Sequence, residues 1–564
     1  MRKFHLVAGL LTIAAAAFGQ ADPPSRVARL NYMQGPVSFR PAGVDDWAAA
    51  TLNYPLNTGD YLWTDQGARA ELHVGSTALR MDQTTALSVV NLNDQLAQFS
   101  LTAGALNVHI RYLGPNENFE VDTPNVAIML LRPGDYRINA DGDNSVTALV
   151  VRSGDAEVTA GASGAFNVRS AQMAQLTGTD NVQQQISGAP PLDAFDGWTA
   201  DRDAREDRAT TSARYVPREM IGYEDLDANG RWVNIPPYGM VWQPAAVAAG
   251  WAPYRQGHWA WVEPWGWTWI DDMPWGFAPF HYGRWAFAAG GWYWVPGAVA
   301  VRPVYSPALV AFVGGGGIGV GVAAWFPLGP GEVYRPAYRV SEIYVRNVNV
   351  AYVSNVGVIA AAGPVVYVNQ RVVGAVTVVP QAVFVGARPV AVAAVAVTPG
   401  MIVSARVVGY TAPIAPERVS VLARPIGGGV VVRTPPAAFV NRTVIARTAP
   451  PPPPVPFAAR QEALRQNPGR PLDEAQLNSI RASQPPRPLP VRTVGQPAGF
   501  GRAAGAPPVR NDRPPSATQP RPTQPAETRP NAEARPANET RAEERKAAEK
   551  GKNEKKKNDR TEKK

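Results

Sequence analysis

The chain has 564 residues and no cysteine. Neither disulfides nor thiolate metal sites hold it together, a lipoprotein anchor is excluded, and stability is left to packing. Lysine is nearly missing as well. All nine are Lys3 or lie at Lys546 and beyond, so the formal charge of +9 sits partly in the terminal run Gly551–Lys564 rather than in a groove. Such a run suits contact with acidic envelope polymers or lipid headgroups, or serves solubility alone. No zinc-finger, helix-turn-helix or aromatic RNA-binding pattern accompanies the basic residues, so nucleic acid is not an expected partner. Gly-x-Ser-x-Gly, His-Glu-x-x-His and phosphate-binding glycine motifs are absent too, which leaves no catalytic, cofactor or metal residues to nominate and predicts a protein that is not an enzyme. Past the first residues, Ala308–Phe326 is a charge-free run whose length approaches that of a membrane span. Its glycines, Gly314–Gly317 and Gly319-Val320-Gly321, favour a buried or flexible β connection over a membrane helix. Membrane contact is expected to be peripheral at most.

What is present divides the chain by composition. Residues 1–21 carry a short basic start, an apolar Leu6–Phe18 and small residues at Gly19 and Ala21, the form of a cleavable secretory signal. This predicts a bacterial periplasmic or secreted protein. Residues 27–185 alternate apolar and polar over short runs, as in Ala70-Glu71-Leu72-His73-Val74 and Asn107-Val108-His109-Ile110. Turn signals such as Gly114-Pro115-Asn116 and Asp141-Gly142-Asp143 separate the runs, so a mainly β domain, a sandwich or a roll, is expected. Residues 193–220 read as a charged linker with a short exposed helix. Residues 346–448 are Val- and Ala-rich, β or loosely ordered. From 449 to 564, Pro451–Pro454, Pro485-Pro486-Arg487-Pro488 and the basic end predict a disordered Pro-rich tail, with a transient helix over Gln461–Ser483.

Twelve of the sixteen tryptophans fall between Trp232 and Trp294, in phase. Gly250–Trp259 aligns on Gly276–Trp285 without a gap. A second signature, Gly239-Met240-Val241-Trp242, Gly266-Trp267-Thr268-Trp269 and Gly291-Trp292-Tyr293-Trp294, interleaves with the first. The unit is about 26 residues, present two and a half times, with aromatics two apart and therefore on one face of an extended strand. Each unit reads as an aromatic hairpin that must stack on the next, continuous with Trp325–Tyr344 in one module over 223–345. Trp251, Trp259, Trp261, Trp267, Trp269, Trp285, Trp292 and Trp294 form the candidate binding face. If buried they are core, and replacement unfolds the module at about 3 to 5 kcal/mol. If exposed they stack on a ligand, each worth on the order of 1 kcal/mol or more.

The histidines of the repeat are not equivalent, since His258 aligns with Arg284 and His281 with Arg255, against a repeated metal ligand. Glu263, Asp271 and Asp272 are the carboxylates a glycoside hydrolase reading would use, although Asp271-Asp272 before Met273-Pro274 reads more naturally as a turn.

In order along the chain, Leu56–Thr64, Ala68–Met81, Thr85, Leu101 with Gly104, Phe119–Pro124, Gly134–Ile138 and Leu149–Val151 leading to Gly154 resemble the FecR-like periplasmic β domain. The tryptophan repeats and Trp325–Tyr344 resemble an uncharacterised bacterial exported family in which such a domain precedes a Gly-x-Trp-x-Trp segment. The resemblance implies a β scaffold, a periplasmic compartment and a tendency to bind partners. The better-known relatives relay a siderophore-receptor signal to a cytoplasmic sigma factor through one membrane helix. The sigma-binding region and that helix have no counterpart in this reading, so the iron-signalling role is not carried over. The expected function is a non-catalytic envelope binding or scaffold module for envelope polysaccharide, peptidoglycan or a periplasmic protein. The alternatives are an envelope polysaccharide or peptidoglycan hydrolase, and a periplasmic signalling component related to FecR regulators.

Overall fold

A computed structural model describes residues 22–494, apart from 161–163, 209–210, 300–301, 316, 350–365 and 424–431. The leader expected over residues 1–21 and the chain beyond 494 lie outside the described residues.

The alternating segment folds as two nine-stranded layers that share one strand. The first layer runs Pro55–Leu56, Ala28–Gln34, Arg69–Val74, Thr77–Met81, the second half of Leu96–Ile110, Gly134–Asp141, Val146–Ser153, Gln172–Thr177 and Gln183–Gly188. The second runs Ala48–Ala49, Val37–Arg40, Tyr61–Thr64, Thr85–Leu92, the first half of Leu96–Ile110, Asn118–Asp122, Ala127–Leu130, Asp155–Thr159 and Ala165–Arg169. The shared strand changes layers at Gly104, whose φ of +91° suits glycine. A Cβ there would sit 2.3 Å from Thr85 Oγ1 and 2.5 Å from Thr85 Cα. Leu72, Leu79, Phe99, Leu106, Ile128, Tyr136 and Leu149 fill the space between the layers.

The charged linker is partly a helix, Ala194–Glu206, opened by an Asp193/Asp196 capping box. It is docked rather than free. Phe195 and Thr199 are buried, and its acidic face meets arginines of the first layer, as described below.

The tryptophan repeat is three antiparallel hairpins: Gly230–Ile235 with Gly239–Pro244, Gly257–Val262 with Gly266–Asp271, and Arg284–Ala288 with Gly291–Val295. Equivalent residues pair in each, Trp232 with Trp242, Trp259 with Trp269 and Trp285 with Trp294. The first and third hairpins join at Trp242 and Trp294, and the middle one stands as its own two-stranded sheet. Ala308–Phe326 contributes the strand Val310–Gly314 and most of its partner Val322–Pro327. These are flanked by Thr377–Pro380 and Arg406–Gly409, so part of the Val/Ala-rich region completes a four-stranded sheet. Among the described residues no helix is long and apolar enough to cross a membrane.

Residues 449–494, grouped with the tail by composition, carry two helices, Phe457–Gln466 and Glu474–Ala482, and a short strand, Val491–Thr493. Composition misleads here because this strap borrows its core. Phe457 and Leu464 are buried, and Phe457 N–H donates to Gly43 O. Arg29, also buried, links the β domain to the tryptophan module. Its Nη1 lies 2.6 Å from Asp225, its Nη2 donates to Pro274 O, and its Nε donates to Asn53, whose amide donates to Asp271 O and Met273 O.

Candidate functional site

The candidate aromatic face is closed. Trp259, Trp261, Trp267, Trp269, Trp285 and Trp294 are at most 3% exposed, Trp292 is 7% exposed, and Trp251 is half-buried, packed edge-on against Trp275 and Trp285. Trp242, Trp269 and Trp294, the same place in successive units, each give the indole N–H a buried acceptor: Leu226 O, Asp271 Oδ2 and Tyr282 O. The cover over the middle hairpin comes from distant segments. Phe312, Trp325 and Phe384 each lie with ring centroids 5.3 Å from Trp259, and Trp267 Nε1–H donates to Ile414 O. Of the two readings open to the two-residue period, core or platform, these residues form a packed core, because a strand pattern specifies a face but not its lid.

The carboxylates of the hydrolase reading each face a partner within the fold. Asp271 accepts from the Trp269 indole and from Met273 N–H, the turn that its sequence suggests, and burial pushes its carboxyl well above the usual range. Glu263 accepts from the Trp261 indole at 2.9 Å and pairs with Arg460 of the strap at 2.5 Å. Asp272 lies 3.5 Å from His258 Nδ1.

A denser polar cluster fixes the helix Ala194–Glu206 to the first layer. Glu71 and Arg80 face each other across adjacent strands, both fully buried and 2.6 Å apart. Arg202 adds two bonds to Glu71, Asp203 lies 2.8 Å from Arg80, and Glu206 lies 2.5 Å from Arg111. His73 sits among Glu71, Glu206 and Glu224. Burial disfavours its charged form, but Glu206 and Glu71 outweigh that and lift it to about 10, so the ring is cationic at neutral pH. Two ligand-like groups occur here, Glu71/His73/Glu206 and His109/Asp135/Asp203. Arg80 and Arg202 beside the first, and Arg80 and Arg111 beside Asp203 of the second, already supply the positive charge that a metal would bring. The cluster works as an ionic clasp.

The open chemistry lies elsewhere, in a cavity of about 280 Å³ between the second β layer and the strap. The Arg40 guanidinium stacks 4.1 Å from the Tyr61 ring centroid and 5.6 Å from that of Trp47, all three half-buried. Arg40 and Tyr61 are paired across adjacent strands, and the loops that follow Arg40 and precede Tyr61 complete the arrangement. Asp60 ties them by accepting from Ala42 N–H at 2.8 Å and Asn57 N–H at 2.7 Å, and burial, opposed by these bonds, raises its carboxyl to about 7. Pro451–Pro454 and Pro488–Pro490 line the cavity from the strap, together with Arg442 and Arg487. Among the described residues no carboxylate is paired with Arg40. An arginine stacked on aromatic rings and lacking a counter-ion keeps its planar fork of donors for a bidentate anion. Arg40, Trp47 and Tyr61 lie outside the repeat and show no period. Their one sequence signal is a lone tryptophan in a polar loop, Gly43-Val44-Asp45-Asp46-Trp47.

Residues 223–332 match the model of a family of unknown function, DUF6600, a stretch that spans the three hairpins and Val310–Pro327. A comparison with curated proteins gives no match. Two crystal structures of a candidate anti-sigma factor from Parabacteroides distasonis ATCC 8503, at 1.65 and 2.50 Å resolution, are similar over 23% of this chain. Identity is 11% and 12%, with a TM-score of 0.21 for each. The chain spans 60% of the length of those structures.

Proposed function

We propose that this chain is a non-catalytic protein of the bacterial envelope, a binding or scaffold module that holds an anionic envelope polymer, peptidoglycan or acidic polysaccharide, in the groove at Arg40. The observation that carries the reading is the Arg40 guanidinium, without a carboxylate partner among the described residues and held against Trp47 and Tyr61. Its stacking fixes the orientation of the donors before a ligand arrives, which lowers the ordering cost of binding a carboxylate. The half-buried rings of Trp47 and Tyr61 beside it offer the apolar contact that sugar rings need. The tryptophan module and the strap then act as the frame that keeps the two loops in place. Incubation of the full chain with purified peptidoglycan and with acidic polysaccharide, followed by sedimentation and by assay of released fragments, tests this. Retention without release is expected. Release of fragments would favour a hydrolase, and no retention on either polymer would remove the reading.

A second reading, a periplasmic signalling component related to FecR regulators, is favoured by one observation. The segments that resemble that domain lie in their order through the two-layered β domain, from Leu56 to Gly154. On this reading the ligand is a protein, and cross-linking in periplasmic extract should trap a protein partner through the β domain rather than a polymer through Arg40.

A further inference from the structure

Both layers of the β domain end, on one side, in two-residue strands, Pro55–Leu56 and Ala48–Ala49, short edges of the kind that resist pairing with another chain. The other side is different. There the first layer ends in Gln183–Gly188, a six-residue strand, Gln-Gln-Gln-Ile-Ser-Gly, without charge or proline, exposed along its whole length on both faces. Its one strand partner among the described residues is Gln172–Thr177. The direction of its backbone groups follows from one bond. Ala189 N–H donates to Ala171 O, directly opposite it in the same register, so alternate residues Ser187, Gln185 and Gln183 also turn their N–H and C=O toward the inner neighbour. Gln184, Ile186 and Gly188 then turn theirs outward, where no strand among the described residues receives them.

We propose that this edge pairs with the same edge of a second copy of the chain, antiparallel about a two-fold axis at Ile186. In that register Gln184 faces Gly188 of the other copy and Ile186 faces Ile186, so each outward residue finds an outward partner and exchanges both of its hydrogen bonds. A symmetric pair brings like residues together, which is costly for a charged strand and free of repulsion for this one. The Ile186 side chain, 44% exposed in the single chain, gains an apolar neighbour at the axis. The two β domains become one continuous sheet across the axis, doubling the valence of any site that each copy carries.

The test uses the full chain in light scattering coupled to size-exclusion chromatography, with circular dichroism to verify folding. The unaltered chain is expected at twice the chain mass. Ile186→Lys and Ile186→Asp, exposed positions that spare the bonds to Gln172–Thr177, are each expected at the single mass, because like charges then meet at the axis. An equimolar mixture of the two is expected to return to the double mass as a heterodimer. A wild-type chain that stays single at every attainable concentration would overturn the proposal. So would variants that remain dimeric, or a mixture that fails to pair.

Discussion

Replacement of Trp259 by alanine probes the tryptophan core at its centre. The indole is fully buried and is surrounded by the rings of Trp269, Phe312, Trp325 and Phe384 at 5.3 to 5.5 Å. Removing a side chain of roughly 200 Å² loses about 5 kcal/mol of apolar burial at 25 cal/mol per Å². Large-to-small core changes of this type cost about 3 to 5 kcal/mol once partial relaxation is included. The four ring contacts place Trp259→Ala toward the upper end of that range. Phe287→Ala is the matched control, an aromatic of the third hairpin that is 43% exposed, expected to cost under about 1 kcal/mol. Urea unfolding followed by tryptophan fluorescence reads both. A shift in midpoint for Trp259→Ala equivalent to less than about 1 kcal/mol, or no larger than that of Phe287→Ala, would refute the core reading.

The ionic clasp predicts a pH dependence with a definite sign. His73 has its folded value raised from 6.5 to about 10, so its stabilisation is complete below pH 6.5 and is lost as pH rises toward 10, an effect of a few kcal/mol. Thermal melts between pH 6.5 and 10 should fall steeply in the unaltered chain and less so in His73→Gln; equal slopes would contradict the assignment. Gly104→Ala combines a left-handed backbone with a Cβ inside Thr85, and should lower stability by about 2 kcal/mol or more in chemical unfolding; an unchanged midpoint would show that the shared strand does not depend on that bend.

The hairpins were legible in the chain because a two-residue aromatic period and glycines at Gly239, Gly266 and Gly291 carry strand and turn information locally. Their burial was not. The lid over Trp259 is made by Phe312, Trp325 and Phe384, and the acceptor for the Trp267 indole is Ile414, residues set apart by segments with no pattern of their own. The charged run Asp201–Arg208 was legible as a helix, but its docking depends on Glu71 and Arg80, whose alternation looks like that of any half-exposed strand. Helix over Gln461–Ser483 was legible in the strap, but its docking was not, for a related reason. A proline-rich segment that cannot build its own core can still lie against another, as Phe457 and Arg460 do. Arg40 and Tyr61 meet as cross-strand partners at the ends of Val37–Arg40 and Tyr61–Thr64, and Trp47 joins them from a loop, which leaves no spacing rule to read.

The most direct test of the groove is the affinity of Arg40→Gln for the polymer that the unaltered chain retains, measured by titration calorimetry at two salt concentrations, with Phe287→Ala as a surface control. Loss of one charge-assisted bidentate contact is expected to weaken binding on the order of tenfold or more and to flatten its salt dependence, while unfolding midpoints stay within about 1 kcal/mol of wild type. Equal affinity and equal salt dependence for Arg40→Gln and the unaltered chain would place the binding surface elsewhere.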